Sequence, residues 1–586
     1  MRQWMVAAKK ADFYAIAEKF HVDPVVARII RNREVIGEKN IRIYLGGNLS
    51  DLSDPHQMKD MDRLVEILAQ KIRKQVHIRI IGDYDVDGVT SSHLFLTALR
   101  RVGAKVDVVI PHRIQDGYGL SLHLLQQAKE DGVDTILTCD NGIAAIDEIA
   151  WAKAQKMTVL VTDHHAVPFE EHEGRRTEKK SLADAVVNPH QQDCGYPYKE
   201  LCGAGVAWNV IRVLYENYDM DKREAEDLLD FVAMATVCDV MSLTGENRIL
   251  VKEGLKRIRH TKNIGLQALM QACNVQPENI SAYHFGYVLG PCVNATGRLD
   301  TARHALRLFE TGQETEAEEI ARDLVDLNQE RKELTLQGVE MAKKLCEEGG
   351  YENDPVLVLF LPDVHESIAG LIAGRIREMY NRPVFVLTRG EEEVKGSGRS
   401  TENYSMYENM CGCAELFTKF GGHPMAAGLS LPEENVEKFR RKINENCPLT
   451  VEEVCPDIHI DMAMPVGYAS TELVHQFALL EPFGKDNPSP LFADRNLSIS
   501  RMWLIGKNRN VLRMSVLSEY GQPVPVIFFG DVETLFAYFT EKFGQEEVEN
   551  ALHGRKNRIL FSMVYTAKID FYQGNENLQL EMKYYR

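Results

Sequence analysis

From Val76 onward the chain alternates short apolar runs with stretches of helical spacing. The runs are Val76 to Ile81, Val106 to Ile110, Thr135 to Leu137, Thr158 to Val161 and Ala185 to Val187. Short, mainly apolar runs suit strands, and the helical stretches between them suit crossovers, so the pattern predicts βαβ units and a largely parallel sheet. A helical stretch follows from about Leu299 to Cys346, with Ile320, Leu324 and Leu327 on one face and Val339, Ala342 and Leu345 on a later one. Its polar middle, Asn328 to Glu333, predicts a helix that spans between domains.

Gly349-Gly350 ends that helix. A second α/β region opens with the strand Val356 to Leu361, the helical segment Ile368 to Met379 and the strand Val384 to Leu387, and runs to about Cys447. After Cys455 the pattern turns β-rich: Asn510 to Leu517, Val524 to Phe529, Arg558 to Ala567, and a closing run with alternating Leu578, Leu580, Met582 and Tyr584. A small barrel fits; periodicity does not separate an OB-fold from other small barrels. Glu170 to Lys180 reads as a polar surface loop.

The fold class is therefore α/β: a parallel-sheet domain and a second α/β lobe joined by a long helical segment, followed by a C-terminal β-barrel. The boundaries fall at 1–60 for an N-terminal segment, 61–298 for the first domain, 299–348 for the connecting helical segment, 349–448 for the second lobe and 455–586 for the barrel. A chain of 586 residues exceeds what one hydrophobic core covers, in keeping with that division.

Composition narrows the function. Hydrophobic residues at 44% and charged residues at 26% are ordinary for a folded chain. The net charge of -18 argues against a generally basic nucleic-acid binder, so any such contact must be local. Eleven cysteines without a regular framework suit reduced thiols, and Cys411 and Cys413 lack the two further ligands that a structural zinc needs. The start, Met1 to Asp12, carries no secretory pattern, and no stretch approaches the ~18 apolar residues of a membrane span. A cytoplasmic protein without membrane contact is expected.

The chemistry gathers at three predicted strand ends. The first runs into Gly82-Asp83-Tyr84-Asp85-Val86-Asp87-Gly88, the second into Cys139-Asp140, and the third into Asp163-His164-His165. One acidic turn alone reads more simply as a solvated loop or a helix N-cap. Three at the C-terminal edge of one sheet, where open α/β sheets bind ligands, point to a site. Packed carboxylates repel unless cations neutralise them, and carboxylate with imidazole suits Mn²⁺ or Mg²⁺. Two ions ~4 Å apart would suit phosphodiester hydrolysis. A helical segment from Leu228 to Val240 ends in Cys238-Asp239, and Asp239 alone reads equally as a structural polar residue.

At these residues the sequence resembles the DHH phosphoesterase superfamily, and within it the RecJ-type single-strand-specific exonucleases, over about Val76 to the C-terminus. The Asp-Tyr-Asp-x-Asp-Gly motif stands as Asp83 to Gly88, and Asp-His-His as Asp163 to His165. Further motifs follow in order: Pro111-His112-Arg113, Asp116-Gly117-Tyr118-Gly119, Asp140, Asp239 with Glu246-Asn247-Arg248, and Asn294 to Arg298. The second lobe adds Gly396-Ser397-Gly398-Arg399-Ser400 and Gly421-Gly422-His423-Pro424; Glu481-Pro482-Phe483-Gly484 and Asn487-Pro488 resemble the junction to an OB-fold. Asn141 departs from a frequent cysteine and Cys238 from a usual alanine.

The resemblance implies that Asp85, Asp87, Asp140, His164 and Asp239 hold two Mn²⁺ or Mg²⁺ ions, with Asp140 bridging, while His165 contacts the scissile phosphate and Asp83 supports the ligands from behind. It implies that Ser397 and Arg399 bind the terminal nucleotide, with His423 in a similar role, and Arg113 and Arg298 are local cations for phosphate. The implied activity is 5′ to 3′ degradation of single-stranded DNA in repair and recombination. Protein partners are not legible, though repair proteins such as a single-strand-binding protein or a helicase suit that activity. Two rivals share the motifs: a DHH phosphodiesterase for short oligonucleotides or cyclic dinucleotides, which needs no barrel, and a replication scaffold without catalysis, which needs no intact ligand set.

Overall fold

The computed structural model describes residues 3–113, 116–117, 119–172, 175–299, 301–351, 353–506, 509–572 and 574–586. Tyr118 of the second motif lies outside the described residues, as do two positions of the polar segment Glu170 to Lys180. In that segment Phe169–His172 pairs with Arg175–Glu178 as a short antiparallel hairpin, where the sequence predicts a loop. The chain divides into two compact units: Leu52–Met241 with Ile249–Pro456, and Gln3–Asp51 with Ser242–Arg248 and Asp457–Arg586.

In the first unit β1 (Ile78–Ile81), β2 (Val106–Val109), β3 (Thr135–Cys139), β4 (Thr158–Thr162) and β5 (Ala185–Val187) form a sheet in the order β2-β1-β3-β4-β5, every neighbour parallel. All residues of β1 and β3 are buried, so both are mainly apolar; Arg79, the charged exception in β1, pairs with Asp107 at 2.7 Å and Asp131 at 2.8 Å. Strand order reverses between β1 and β3, and the crevice beyond the C-terminal ends at such a reversal is where these sheets bind ligands. Helix α1 (Val86–Arg101) leaves β1 directly, and thirteen of its sixteen residues are buried, so its first turn is locked into the core. Helices α2 (Gly203–Asn217) and α3 (Leu229–Cys238) pack on it.

The sequence predicts one helical stretch from Leu299 to Cys346; the structure breaks it into α4 (Gly290–Leu299), α5 (Arg303–Glu310) and α6 (Glu314–Glu348). Thr311 turns the chain out of α5 in an extended conformation, and its hydroxyl, with Arg307, bonds the Glu316 carboxylate to fix the corner. Helix α6, about 50 Å long at ~1.5 Å per residue, packs on α4 and then on α7 (Glu366–Tyr380) of the second lobe. At Gly338 a Cβ would stand 2.3 Å from Ile372, so glycine permits that close helix contact. Asn328, in the polar middle, is buried and accepts from Arg331.

The second lobe's sheet has the order β9-β10-β8-β7-β6, from β6 (Leu357–Phe360), β7 (Val384–Arg389), β8 (Val394–Arg399), β9 (Lys419–His423) and β10 (Ala426–Leu431), with only β6 and β7 parallel. Gly396 to Arg399 therefore lies in a strand and not in a glycine-rich turn. A Cβ at Gly396 would meet Leu387 at 2.4 Å, and one at Gly398 would meet Met406 Sδ at 2.3 Å, so these glycines answer to core packing on their own face. Ser397 and Arg399 take the opposite face by the two-residue strand period.

In the second unit β12 (Phe492–Ile505) pairs with both β13 (Val511–Leu517) and β15 (Leu560–Tyr572), and β14 (Pro523–Phe528) and β16 (Asn575–Tyr585) complete a closed barrel, with the short β11 (Met462–Ala463) alongside β12. The longest strand, β12, is absent from the sequence reading because register shifts between Asp494 and Leu497 and between Ile499 and Arg501 break its alternation. Residues 3–51, set apart in the sequence as part of an N-terminal segment, belong to this unit: Val26, Ile29, Ile30 and Tyr44 share its core with Phe477, Leu480 and Phe492. Phe528 also fills that core, while Phe529 is exposed.

Arg248 is a deeply buried charge of this unit. Its guanidinium donates to the carbonyls of Tyr44, Leu480 and Leu479, each at 2.8 Å, and lies 4.0 Å from the Tyr44 ring centroid. Replacing it strands those carbonyls in a core. Arg248→Met should destabilise the second unit by about 3–5 kcal/mol, read as a lower urea midpoint and faster amide exchange in β12 to β16; an unchanged midpoint would remove the clamp from the account.

Candidate active site

Asp85 is the N-cap of α1, its carboxylate accepting from Gly88 N–H at 3.1 Å, so the simple capping reading of this residue also holds. Asp83 ends buried behind it. A Cβ at Gly88 would lie 2.4 Å from the Asp83 carbonyl oxygen, so glycine is required for the chain to fold back this tightly. Asp87, in the first turn of α1, accepts from Gly203 N–H at 2.6 Å and Ala204 N–H at 2.7 Å, which fixes it at the N-terminus of α2. Asp140 leaves β3 in the left-handed region at φ 61°, and Asp239 is the C-cap of α3.

From β4 come His164 and His165. Asp163 does not face the cluster as a ligand: it is buried and accepts from Ile143 N–H, both histidine N–H groups and His165 Nδ1, the last at 2.8 Å. Burial alone would raise its pKa, but the His165 hydrogen bond and charge hold it below the usual range. Burial would lower His165, yet the Asp163 bond and the charges of Asp163, Asp239 and Asp87 raise it to about 9. Since a carboxylate accepts, Nδ1 carries the proton in that bond.

The ligand-capable atoms form three overlapping groups, each within 4.8 Å: Asp87, His164 and Asp239; Asp83, Asp85 and Asp140; Asp140, His164 and His165. Asp140 is shared between two of them. His164 Nε2 lies 3.1 Å from Asp140, 3.6 Å from Asp239 and 3.7 Å from Asp87, and makes no hydrogen bond among the described residues. Burial, then the neighbouring carboxylates, push Asp140 and Asp83 well above the ordinary carboxyl range. Crowded carboxylates and a buried imidazole nitrogen without a donor or acceptor fit hard divalent cations. Asp83, which the resemblance sets behind the ligands, stands within the same reach as Asp85.

The second lobe faces this edge across a cleft of about 560 Å³, lined by Tyr84, Arg113, Ser367, Ser397, Lys395 and Lys419 among others. Arg113 lies over Tyr84 at 5.1 Å, and Arg298 donates to the Ser367 carbonyl at 2.7 Å. Burial, then the charge of Arg113, depress both Arg298, to about 10, and Arg399. Arg399 donates to the Gly398 carbonyl, and a Cβ at Gly370 of α7 would lie 2.8 Å from its guanidinium and from Ser397 Oγ. His423 stands exposed at the end of β9 and does not line this cleft. Lys395, Lys419 and Ser367 line it without a sequence motif to announce them; isolated lysines and serines carry no spacing signal.

Gly203 is the other residue that the motifs missed, although Gly203-Ala204-Gly205 after Cys202 is a legible cue for a close helix start. A Cβ there would stand 2.6 Å from Asp140 Cβ. Gly203→Ala should shift Asp140 and the N–H groups that hold Asp87, weakening Mn²⁺ binding by about 10–100-fold in calorimetry with little change in helix content; full affinity would show that the cluster tolerates the shift.

Comparison with known proteins agrees with this geometry. Residues 77–236 match the DHH family, N-terminal domain, residues 353–447 the DHHA1 domain and residues 460–584 the RecJ OB domain. The chain is 32% identical over 512 residues to the single-stranded-DNA-specific exonuclease RecJ of Bacillus subtilis, covering 87% of this chain and 63% of that protein, so it spans under two thirds of that relative's length. It is 32% identical over 582 residues to that of Haemophilus influenzae, covering 96% of each. The crystal structure of RecJ in complex with Mn²⁺ from Thermus thermophilus shares the fold, with a TM-score of 0.79, 24% identity and coverage of 100% of this chain and 79% of that one. A crystal structure of exonuclease RecJ bound to manganese is 32% identical, with a TM-score of 0.56, over 66% of this chain and 94% of that chain. With three domain matches in order and near full-length identity to such relatives, the chain belongs to the RecJ family of single-stranded-DNA-specific exonucleases.

Proposed function

We propose that the protein hydrolyses single-stranded DNA from its 5′ end, using two Mn²⁺ or Mg²⁺ ions held by Asp85, Asp87, Asp140, His164 and Asp239. The observation that carries the reading is the convergence of those side chains at one sheet edge, with Asp140 common to two ligand-capable groups. Such ions, when bound, lower the pKa of a water and stabilise charge developing on phosphorus. Asp163 orients His165 so that its Nε2 can reach the scissile phosphate. Asp83 steadies the cluster from behind Asp85.

Across the cleft, Ser397 and Arg399 hold the terminal nucleotide, with Lys395 and Lys419 adding charge, and Arg113 and Arg298 grip phosphates nearer the cluster. These local cations answer the net charge of -18. His423, exposed and off the cleft, has at most a peripheral contact with the strand. The division proposed is a catalytic domain at 61–298, a connecting segment at 299–348, a substrate-binding lobe at 349–448 and a nucleic-acid-binding barrel at 455–586. A closed barrel with the exposed Phe529 offers a strand-binding surface that a diesterase for dinucleotides would not need. No helix of the described residues is long and apolar enough to cross a membrane. A cytoplasmic role in repair, beside a single-strand-binding protein or a helicase, suits the reading.

Asp140→Ala should abolish hydrolysis of an end-labelled single strand, and excess chelator should do the same to the wild type; full activity in chelator would sink the two-cation reading. His165→Ala should keep its Mn²⁺ affinity but cut about 10²–10⁴-fold more slowly, the range for a lost proton-transfer or phosphate contact. Loss of metal in that variant would make His165 a ligand instead.

Arg399→Ala should weaken binding of a 5′-phosphorylated strand about tenfold or more, since a charged hydrogen bond is worth ~1.5–3 kcal/mol, and should weaken a 5′-hydroxyl strand less. Equal losses at fixed salt would place Arg399 on an internal phosphate, and digestion from the 3′ end would overturn the polarity.

A further inference from the structure

The first unit holds a second cavity, of about 740 Å³, formed where the C-terminal half of α1, the start of α3 and the end of α5 meet. That volume lies within the ~300–1,000 Å³ usual for small-molecule sites. Its inner wall is aromatic: the His93 ring lies 4.4 Å from Phe231 and 5.8 Å from Phe309. Beside them the Thr261 hydroxyl donates to Asp230 at 2.7 Å. Burial keeps His93 neutral, its pKa pushed down to about 3, and raises Asp230 to about 6.

Three buried polar atoms in the wall make no hydrogen bond among the described residues: His93 Nδ1, Arg257 Nε and Glu310 Oε1. Native cores leave few such atoms, and three around one cavity call for an occupant. The rim is mixed in charge: Arg100, Lys256, His260 and Lys262 stand exposed around the mouth beside Asp227 and Glu253, and Lys256 pairs with Glu253 at 2.6 Å. Arg100 has no ion-pair partner within 4 Å among the described residues, and the carboxylate nearest Lys262 is Asp227, at 3.7 Å.

We infer that this cavity is a binding site for a nucleoside phosphate, whose base would bond the edge groups His93, Asp230 and Glu310 and whose phosphates would meet the Arg100 and Lys262 rim. The site communicates with the carboxylate cluster through two rigid elements. Helix α1 carries Asp85 and Asp87 at one end and Thr97, Arg100 and Arg101 in the cavity at the other; α3 carries Asp230 and Phe231 in the cavity and ends at Asp239. From Asp87 to Arg100 is about 20 Å at ~1.5 Å per residue, so the two sites are separate.

The test is isothermal titration calorimetry of the full chain in EDTA with ATP, dAMP and inorganic triphosphate as separate probes. In an Arg399→Ala background, which removes the cleft's grip on a terminal nucleotide, at least one nucleotide should bind one site per chain, at least tenfold more tightly than triphosphate. Two variants address the cavity: Thr97→Trp, which fills it, and the pair Arg100→Glu with Lys262→Glu, both exposed and so harmless to folding. Added to that background, each should weaken nucleotide binding at least tenfold. No binding of either nucleotide in that background, equal binding of triphosphate, or binding kept in the cavity variants would overturn the proposal, the first, where the wild type still binds, by placing the nucleotide in the cleft.

Discussion

Mutual repulsion among carboxylates buried at one sheet edge governs the first unit. Two unit charges 4.8 Å apart repel by about 3–4 kcal/mol at an effective dielectric constant of ~20, and Asp140 faces Asp87, Asp85, Asp239 and Asp83. The two backbone N–H groups that hold Asp87 return roughly 1.5–3 kcal/mol each, which offsets one such repulsion and not the set. Without cations, protons must therefore occupy part of the cluster, as the raised pKa values of Asp83, Asp85 and Asp140 record. The fold tolerates this frustration because each carboxylate is anchored by an element that is stable for other reasons: the core helix α1, the strands β3 and β4, and the end of α3.

Close approach of backbone is the second requirement, and glycine meets it at two places that matter. Gly88 lets the motif fold back over Asp83, and Gly203 lets the start of α2 come against Asp140. The same geometry that brings N–H groups onto Asp87 leaves no room for a Cβ. Anchoring and crowding thus arise from one contact, so a single methyl group at Gly203 disturbs two carboxylates at once.

The parallel sheet was legible because both its faces are covered, which leaves mainly apolar runs at Ile78 to Ile81 and Thr135 to Cys139. The acidic and histidine residues at their ends were legible for the same reason: in such a sheet chemistry at a strand's C-terminal end has one place to go. Strand β12 was not, because two bulges scramble its period. Gly396 to Arg399 was legible as a motif but not as a strand, since glycine in a strand leaves no pattern; its glycines answer to Leu387 and Met406, which sequence distance hides. Nor could the first fifty residues be assigned to the barrel, because their partners Phe477, Leu480 and Phe492 lie more than 400 positions away.

Two arginines show how far residue type alone falls short. Arg248 and Arg298 both stand in family motifs and both are largely withdrawn from water, yet their surroundings differ. The guanidinium of Arg248 is enclosed by three carbonyls at 2.8 Å, which use its donors and leave it no role beyond holding the second unit together. Arg298 spends one bond on the Ser367 carbonyl and otherwise feels the like charges of Arg113, Arg331 and Arg399, and it makes no ion pair among the described residues. Like charges held together at the edge of a cleft lower their repulsion only when an anion enters, so the unfavourable arrangement in the free protein is the favourable one around phosphate. The difference between the two lies in whether the fold itself supplies the counter-dipoles, and only the assembled structure carries that information.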